Sequence, residues 1–197
     1  MRERSRFTRM RVSALVPCAV LLAGCFAQSQ DVPPLVAAAR DGNAAAVREF
    51  VKSGADPNAV YGALNWTPLM HAVDRNQIDS VKALLDSGAD VNRTGDYESE
   101  PRTKQRAVTP LMMAAGYGYT PIVELLLRRG ADPARVDGDG NRALDYALAG
   151  TLYHATFFGC QDSTVRALIA AHAPLVISSD SRRFARIKRC NTLALLR

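Results

Sequence analysis

The sequence predicts an all-α repeat fold, a solenoid of about four helix–turn–helix units joined by extended, turn-rich fingers. Two observations predict it. First, residues 34–57, 68–91 and 110–133 align without gaps, and in each the opening Pro precedes a Gly by 20 residues. Second, an apolar triplet at i, i+3, i+4 recurs in every unit, as Val47/Phe50/Val51, Val81/Leu84/Leu85, Val123/Leu126/Leu127 and Val165/Leu168/Ile169. That spacing lines one stripe of a helix, which must be buried against a neighbour.

The elements follow in order within each unit. Thr67-Pro68 and Thr109-Pro110 supply an N-cap hydroxyl and a Pro at the first helical position, where its missing N–H costs nothing. The triplet then marks a second helix. Gly88 and Gly130 follow it, where a left-handed residue ends a helix. Stretches such as Asp137-Gly138-Asp139-Gly140-Asn141 are turn chemistry between units. A fourth, divergent unit begins at Ala143-Leu144 and closes on the Val165 triplet.

On these residues the chain resembles the ankyrin repeat family. The carriers are Trp66-Thr67-Pro68-Leu69, Thr109-Pro110-Leu111, and Gly-Ala-Asp at residues 54–56, 88–90 and 130–132, and the likeness covers residues 34–174. There are departures. The family's usual His two after Pro is Met70 in the second unit and Met112 in the third. Pro33 replaces Thr in the first unit. The fourth has Arg142-Ala143-Leu144 for Thr-Pro-Leu and His172 where Gly is expected. Divergent end units suit a solenoid, whose ends must face solvent. The resemblance implies β-hairpin-like fingers between the helix pairs.

Two insertions break the period. Gly54 to Gly88 is 34 residues but Gly88 to Gly130 is 42, the surplus lying in a polar finger at residues 94–107. Leu111 to Val123 is 12 residues, whereas Leu144 to Val165 is 21, the extra stretch including Tyr153, His154, Phe157, Phe158 and Cys160. Insertions of this kind map to loops, often on the binding side.

The resemblance also implies that a partner is gripped by the finger tips and the concave side of the first helices. Carried onto this chain, that means Tyr61, Leu64 and Trp66 on the first finger. The second finger offers Tyr97, Glu98, Glu100, Arg102, Lys104 and Arg106. The concave positions are His71, Asp74, Arg75, Met113, Tyr117 and Tyr119. Tyr, Trp and Arg anchor interfaces well, because they bury much area at little entropic cost. Some of these residues have a plainer reading: Trp66 packs between repeats, and Tyr117 or Tyr119 closes a helix–helix turn.

Composition bounds the rest. The 197 residues are 48% apolar and 22% charged, too apolar for a disordered chain and too charged for a polytopic membrane protein. The net charge of +6 is unevenly spread. Residues 1–24 hold five Arg against one Glu, and residues 178–197 hold six Lys/Arg against Asp180, so the body between them is slightly acidic. A nucleic-acid-binding body is therefore not expected.

Arg2, Arg4, Arg6, Arg9 and Arg11 precede an apolar run over residues 12–24. This reads as an export signal, too short for a comfortable membrane span. It ends in Leu22-Ala23-Gly24-Cys25, which resembles the bacterial lipoprotein signal, the lipobox. The implication is a lipid on Cys25 and a protein anchored in the bacterial cell envelope on its periplasmic side. Ordinary secretion, with cleavage before Gln28, is the competing reading, and Met10 is an alternative start. The expected layout is a signal peptide at 1–24, a linker at 25–33, the repeat domain at 34–176 and a basic tail at 177–197. Cys160 and Cys190 remain in the mature domain and form a candidate disulfide in an oxidising compartment. The tail is either a basic amphipathic segment drawn to acidic surfaces or a solvated tail whose Leu residues pack on the last repeat.

Catalytic and metal chemistry is not expected. No HxxxH or CxxC pair supplies a metal spacing. His154 and Cys160 have no orienting partner or oxyanion donor to make them nucleophile and base. Asp137, Asp139 and Asn141 imitate part of a calcium loop, but no bidentate Glu follows, so an inter-repeat turn is the better reading. The expectation is a non-enzymatic, cofactor-free monomer that binds another protein. The competing expectation is an inhibitor or immunity-type protein that blocks an enzyme with the long finger.

Overall fold

The computed structural model describes residues 32–99, 103–149 and 161–177, all within the unit Val32–Arg197. Four helix pairs follow one another: α1 (Pro34–Arg40) and α2 (Ala44–Lys52), α3 (Pro68–Asp74) and α4 (Ile78–Asp86), α5 (Pro110–Tyr117) and α6 (Thr120–Arg128), α7 (Ala143–Ala149) and α8 (Asp162–Ala170). The odd-numbered helices stack on one another as an inner layer and the even-numbered ones as an outer layer. The long finger is an antiparallel hairpin of β1 (Gly95–Ser99) and β2 (Thr103–Val108), with Glu98 opposite Lys104 and an irregularity between Gly95 and Tyr97. The first finger closes on a single antiparallel bridge between Tyr61 and Trp66.

The punctuation works as its chemistry dictates. Thr67 Oγ1 accepts from the Met70 N–H at 3.3 Å and Thr109 Oγ1 from the Met112 N–H at 3.2 Å. Met112 answers in kind: its thioether accepts from the Thr109 N–H at 3.4 Å, closing a capping box with sulfur in place of a carboxylate. Gly54, Gly88 and Gly130 take left-handed φ values of 103°, 89° and 85° after the second helices. His172 does the same work at 58° without glycine's freedom.

The triplets form the floor of the core. Val47, Val81, Val123 and Val165 are fully buried, as are Leu84, Leu126 and Leu168, while Val51, Leu85, Leu127 and Ile169 are half-buried at its margin. Phe50, in the first unit, is also only half-buried.

Asparagines join successive units. Asn58 donates to the Gly88 carbonyl and accepts from the Asp90 N–H, at 3.2 and 2.7 Å. Asn92 repeats this on Gly130 and Asp132, at 3.1 and 2.9 Å. The third unit has Ala134 at this position, and the residue it would face is Pro174, which has no N–H to give. The ladder ends where its chemistry ends.

The fourth unit regains register despite its insertion. The Gln161 side chain roofs Gly118, whose Cβ, were one present, would collide with it, just as Gln77 roofs Gly42. Thr120 Oγ1 lies 2.9 and 2.8 Å from the hydroxyls of Ser163 and Thr164, tying α6 to α8. The added residues therefore leave and re-enter at the turn between α7 and α8. Residues 1–31, with Cys25, and residues 150–160, with His154 and Cys160, lie outside the described residues. So do residues 100–102, with Arg102, and residues 178–197, with Cys190.

Candidate protein-binding surface

The residues expected on the concave side gather into two neighbouring clusters. In the first, His71 on α3 meets the two aromatic residues of the adjoining finger. Its ring lies 5.3 Å from that of Trp66, edge-on at 64°, and 6.3 Å from that of Tyr61. Burial pushes the His71 imidazole down to about 4, with the charge of Arg40 next in effect; Asp74 opposes this and Arg75 adds to it. The ring is therefore neutral at physiological pH.

The second cluster bridges α3 and α5. Tyr117 donates its hydroxyl to Asp74 Oδ1 at 2.9 Å, and Arg75 Nε reaches Asp74 Oδ2 at 3.5 Å. Tyr119 stacks on Tyr117 with ring centroids 5.2 Å apart. Burial, and then the Asp74 charge, raise the Tyr119 phenol above its ordinary value. Arg75 and the tyrosines remain at least partly exposed. The surface so formed offers stacked rings, a guanidinium and a carboxylate within a few residues of one another. These are groups suited to gripping a polypeptide.

Two expected contacts are corrected. Met113 is completely buried, because α5 lies between α3 and α7 and is covered from Pro110 through Gly116. Residues 110–116 therefore have no side chain to offer a partner, and only Tyr117 at the end of α5 reaches the surface. Trp66 is only 8% exposed, and its indole N–H donates to the carbonyl of Asp96, so it fastens the first finger to the second. Leu64 shares that seam: its side chain packs on the core and its carbonyl accepts from the Asp96 N–H at 2.7 Å. On the other side of the hairpin, the exposed Arg106 accepts through its carbonyl from the Gly138 N–H at 2.8 Å. The backbone places Tyr97 opposite Gln105, and Glu98 opposite Lys104, along the same hairpin.

Sequence reasoning missed Arg40. It stands six residues after Pro34, as Asp74 stands six after Pro68, so the repeat alignment itself was the available signal. The turn reading of Asp137 is fully accounted for. Its carboxylate accepts from the Asp139 and Asn141 N–H groups at 2.9 and 2.8 Å, and from the Asn141 amide and the Tyr146 hydroxyl. Among the described residues no group of three His, Cys, Asp or Glu side chains is placed to hold a metal ion, and no helix is long and apolar enough to cross a membrane.

Stacked helix pairs, capped by Thr-Pro and joined by fingers, define a helical repeat protein that works through its surface. Family models for ankyrin repeats match residues 13–95 and 99–147, and the chain belongs to the ankyrin repeat family. Such repeats make it a protein–protein interaction module, and domains of this kind are typically non-enzymatic. The chain is similar to a glycerophosphocholine phosphodiesterase of Schizosaccharomyces pombe, 32% identical over 84% of this chain and 14% of the relative. It is also similar to the mouse 2-5A-dependent ribonuclease, 33% identical over 43% of this chain and 10% of the relative. A palmitoyltransferase of Lachancea kluyveri is 31% identical over 56% of this chain and 14% of the relative. The chain thus spans about one-seventh or less of these proteins, and the activities in their names are theirs.

Proposed function

We propose that this chain is an exported envelope lipoprotein, anchored through Cys25, that binds a partner protein with its concave face and long hairpin. The observation that carries the binding reading is the convergence of Asp74, Arg75, Tyr117 and Tyr119 from two units into one partly exposed cluster. The export signal and the Leu22–Cys25 motif support the envelope placement. The hairpin, which adds length to the repeat period, favours a narrower version, in which the partner is an enzyme and the hairpin blocks it.

Capture from envelope extract tests the binding reading. The wild type is compared with Arg75→Glu, with Tyr119→Ala, and with a hairpin in which residues 97–105 are replaced by a tight turn. The cut spares Asp96 and Arg106, whose backbone groups bond the neighbouring fingers, and loop closure depends only weakly on length. Each variant should keep its helical content. Loss of an anchoring contact of about 2 kcal/mol should lower affinity roughly 30-fold. Full retention of the captured partner by all three variants would move the interface elsewhere. Loss confined to the hairpin variant, with an enzyme as the captured partner, would select the inhibitor version.

A further inference from the structure

The last inner helix is more thoroughly covered than its position in the stack explains. Ala143, Leu144, Ala147 and Leu148 are 0–2% exposed and Asp145 and Tyr146 are 2% and 4% exposed, so six consecutive residues of α7 are buried. Six residues at 3.6 per turn point in every direction around a helix. Among the described helices only α5 is buried over as long a run, and α5 has an inner helix on each flank. The main packing partners of α7 are α5 and α8. Its other flank, where a fifth unit would stand, has no described helix against it.

We propose that the basic tail, residues 178–197, docks on this outer flank of α7 and closes the solenoid in place of a further repeat. Two observations deliver the tail there. After α8 the chain turns back toward the start of α7, where the Arg142 guanidinium donates to the Val176 carbonyl at 3.4 Å. Ile177 then re-enters the core, at 8% exposure, although Leu175 and Val176 before it are 45% and 66% exposed. The residues that follow carry Phe184, Ile187, Leu193, Leu195 and Leu196 among the basic groups. An apolar set of this kind gains by covering an apolar flank, while its Lys and Arg keep to water. The competing occupant is the insertion at residues 150–160. That segment leaves from the opposite end of α7, whereas Ala143 and Leu144, which follow Arg142 at the end that Val176 reaches, are about as deeply buried as Leu148. Solenoids need ends that neighbouring units do not supply, and the tail serves as that end.

Amide hydrogen exchange on the full chain tests the docking directly. Backbone amides of residues 184–187 should exchange at least ~10-fold more slowly than in the free peptide 178–197. Ending the chain at Ile177 should speed exchange across α7 by ~100-fold while leaving α3 and α4 within about twofold of the full chain. Free-peptide exchange at residues 184–187 in the intact protein overturns the proposal, whether or not the shortened chain folds. Unchanged α7 protection in a folded shortened chain also overturns it. So does loss of α7 protection on replacing residues 150–160 alone, with the shortened chain still protected.

Discussion

His71 shows how one residue can be legible in type and illegible in role. The family resemblance places it on the concave side of the first helix; the structure packs it against the rings of Trp66 and Tyr61, where burial, and then the charge of Arg40, hold it neutral. Its value falls from 6.5 to about 4 on folding. The unfolded chain therefore takes up a proton, as pH drops through that window, that the fold refuses. Stability due to this group is complete above pH 6.5, declines as pH falls toward 4, and levels off below. His71→Gln should flatten the dependence of the urea midpoint on pH between 6.5 and 5, whatever it does to the midpoint at pH 7. An identical slope in the variant would show that the imidazole is not desolvated. Trp66 and Met113 make the complementary point. Both are types that anchor interfaces or cores, and only their neighbours, Asp96 in one case and the flanking helices in the other, assign them to the interior.

At the scale of elements, local chemistry was the better guide. Thr caps, the Pro that follows them and the terminal Gly mark helix ends because each satisfies or spares a backbone group within a few residues. The Met112 thioether shows that sulfur can take the acceptor role of a carboxylate at the third helical position. The joints between units are less legible, since Asn58 and Asn92 reach partners 30 to 40 residues away. Asn92→Ala should lower stability by about 1–2 kcal/mol, from two lost hydrogen bonds partly replaced by water. Ala134→Asn should change it by less than about 0.5 kcal/mol, because Pro174 offers no N–H. Equilibrium urea unfolding of both variants checks the contrast. Equal effects at the two sites would mean that the ladder contributes nothing.

For the whole molecule, four units share one continuous core among the described residues. The envelope placement we propose has its own test. Cys25→Ser should leave the protein unprocessed or release it to the soluble envelope fraction. Two or more acyl chains anchor stably where a single chain of ~14 carbons is marginal. Normal processing and undiminished membrane association in the variant, followed by fractionation and mass measurement, would remove the lipid from the account.

The repeat, its four units, the buried triplets and the helix ends were determined by the sequence alone. Each is a local pattern that recurs, and recurrence separates it from chance. Exposure was decided by tertiary structure, because it depends on which surfaces the neighbouring units and fingers cover. Stacking encloses α5 and withdraws Met113, the seam between fingers withdraws Trp66, and adjacency across units joins Tyr117 to Asp74 and brings Arg40 to bear on His71. A partner meets only the surface that remains, and packing between units defines that surface.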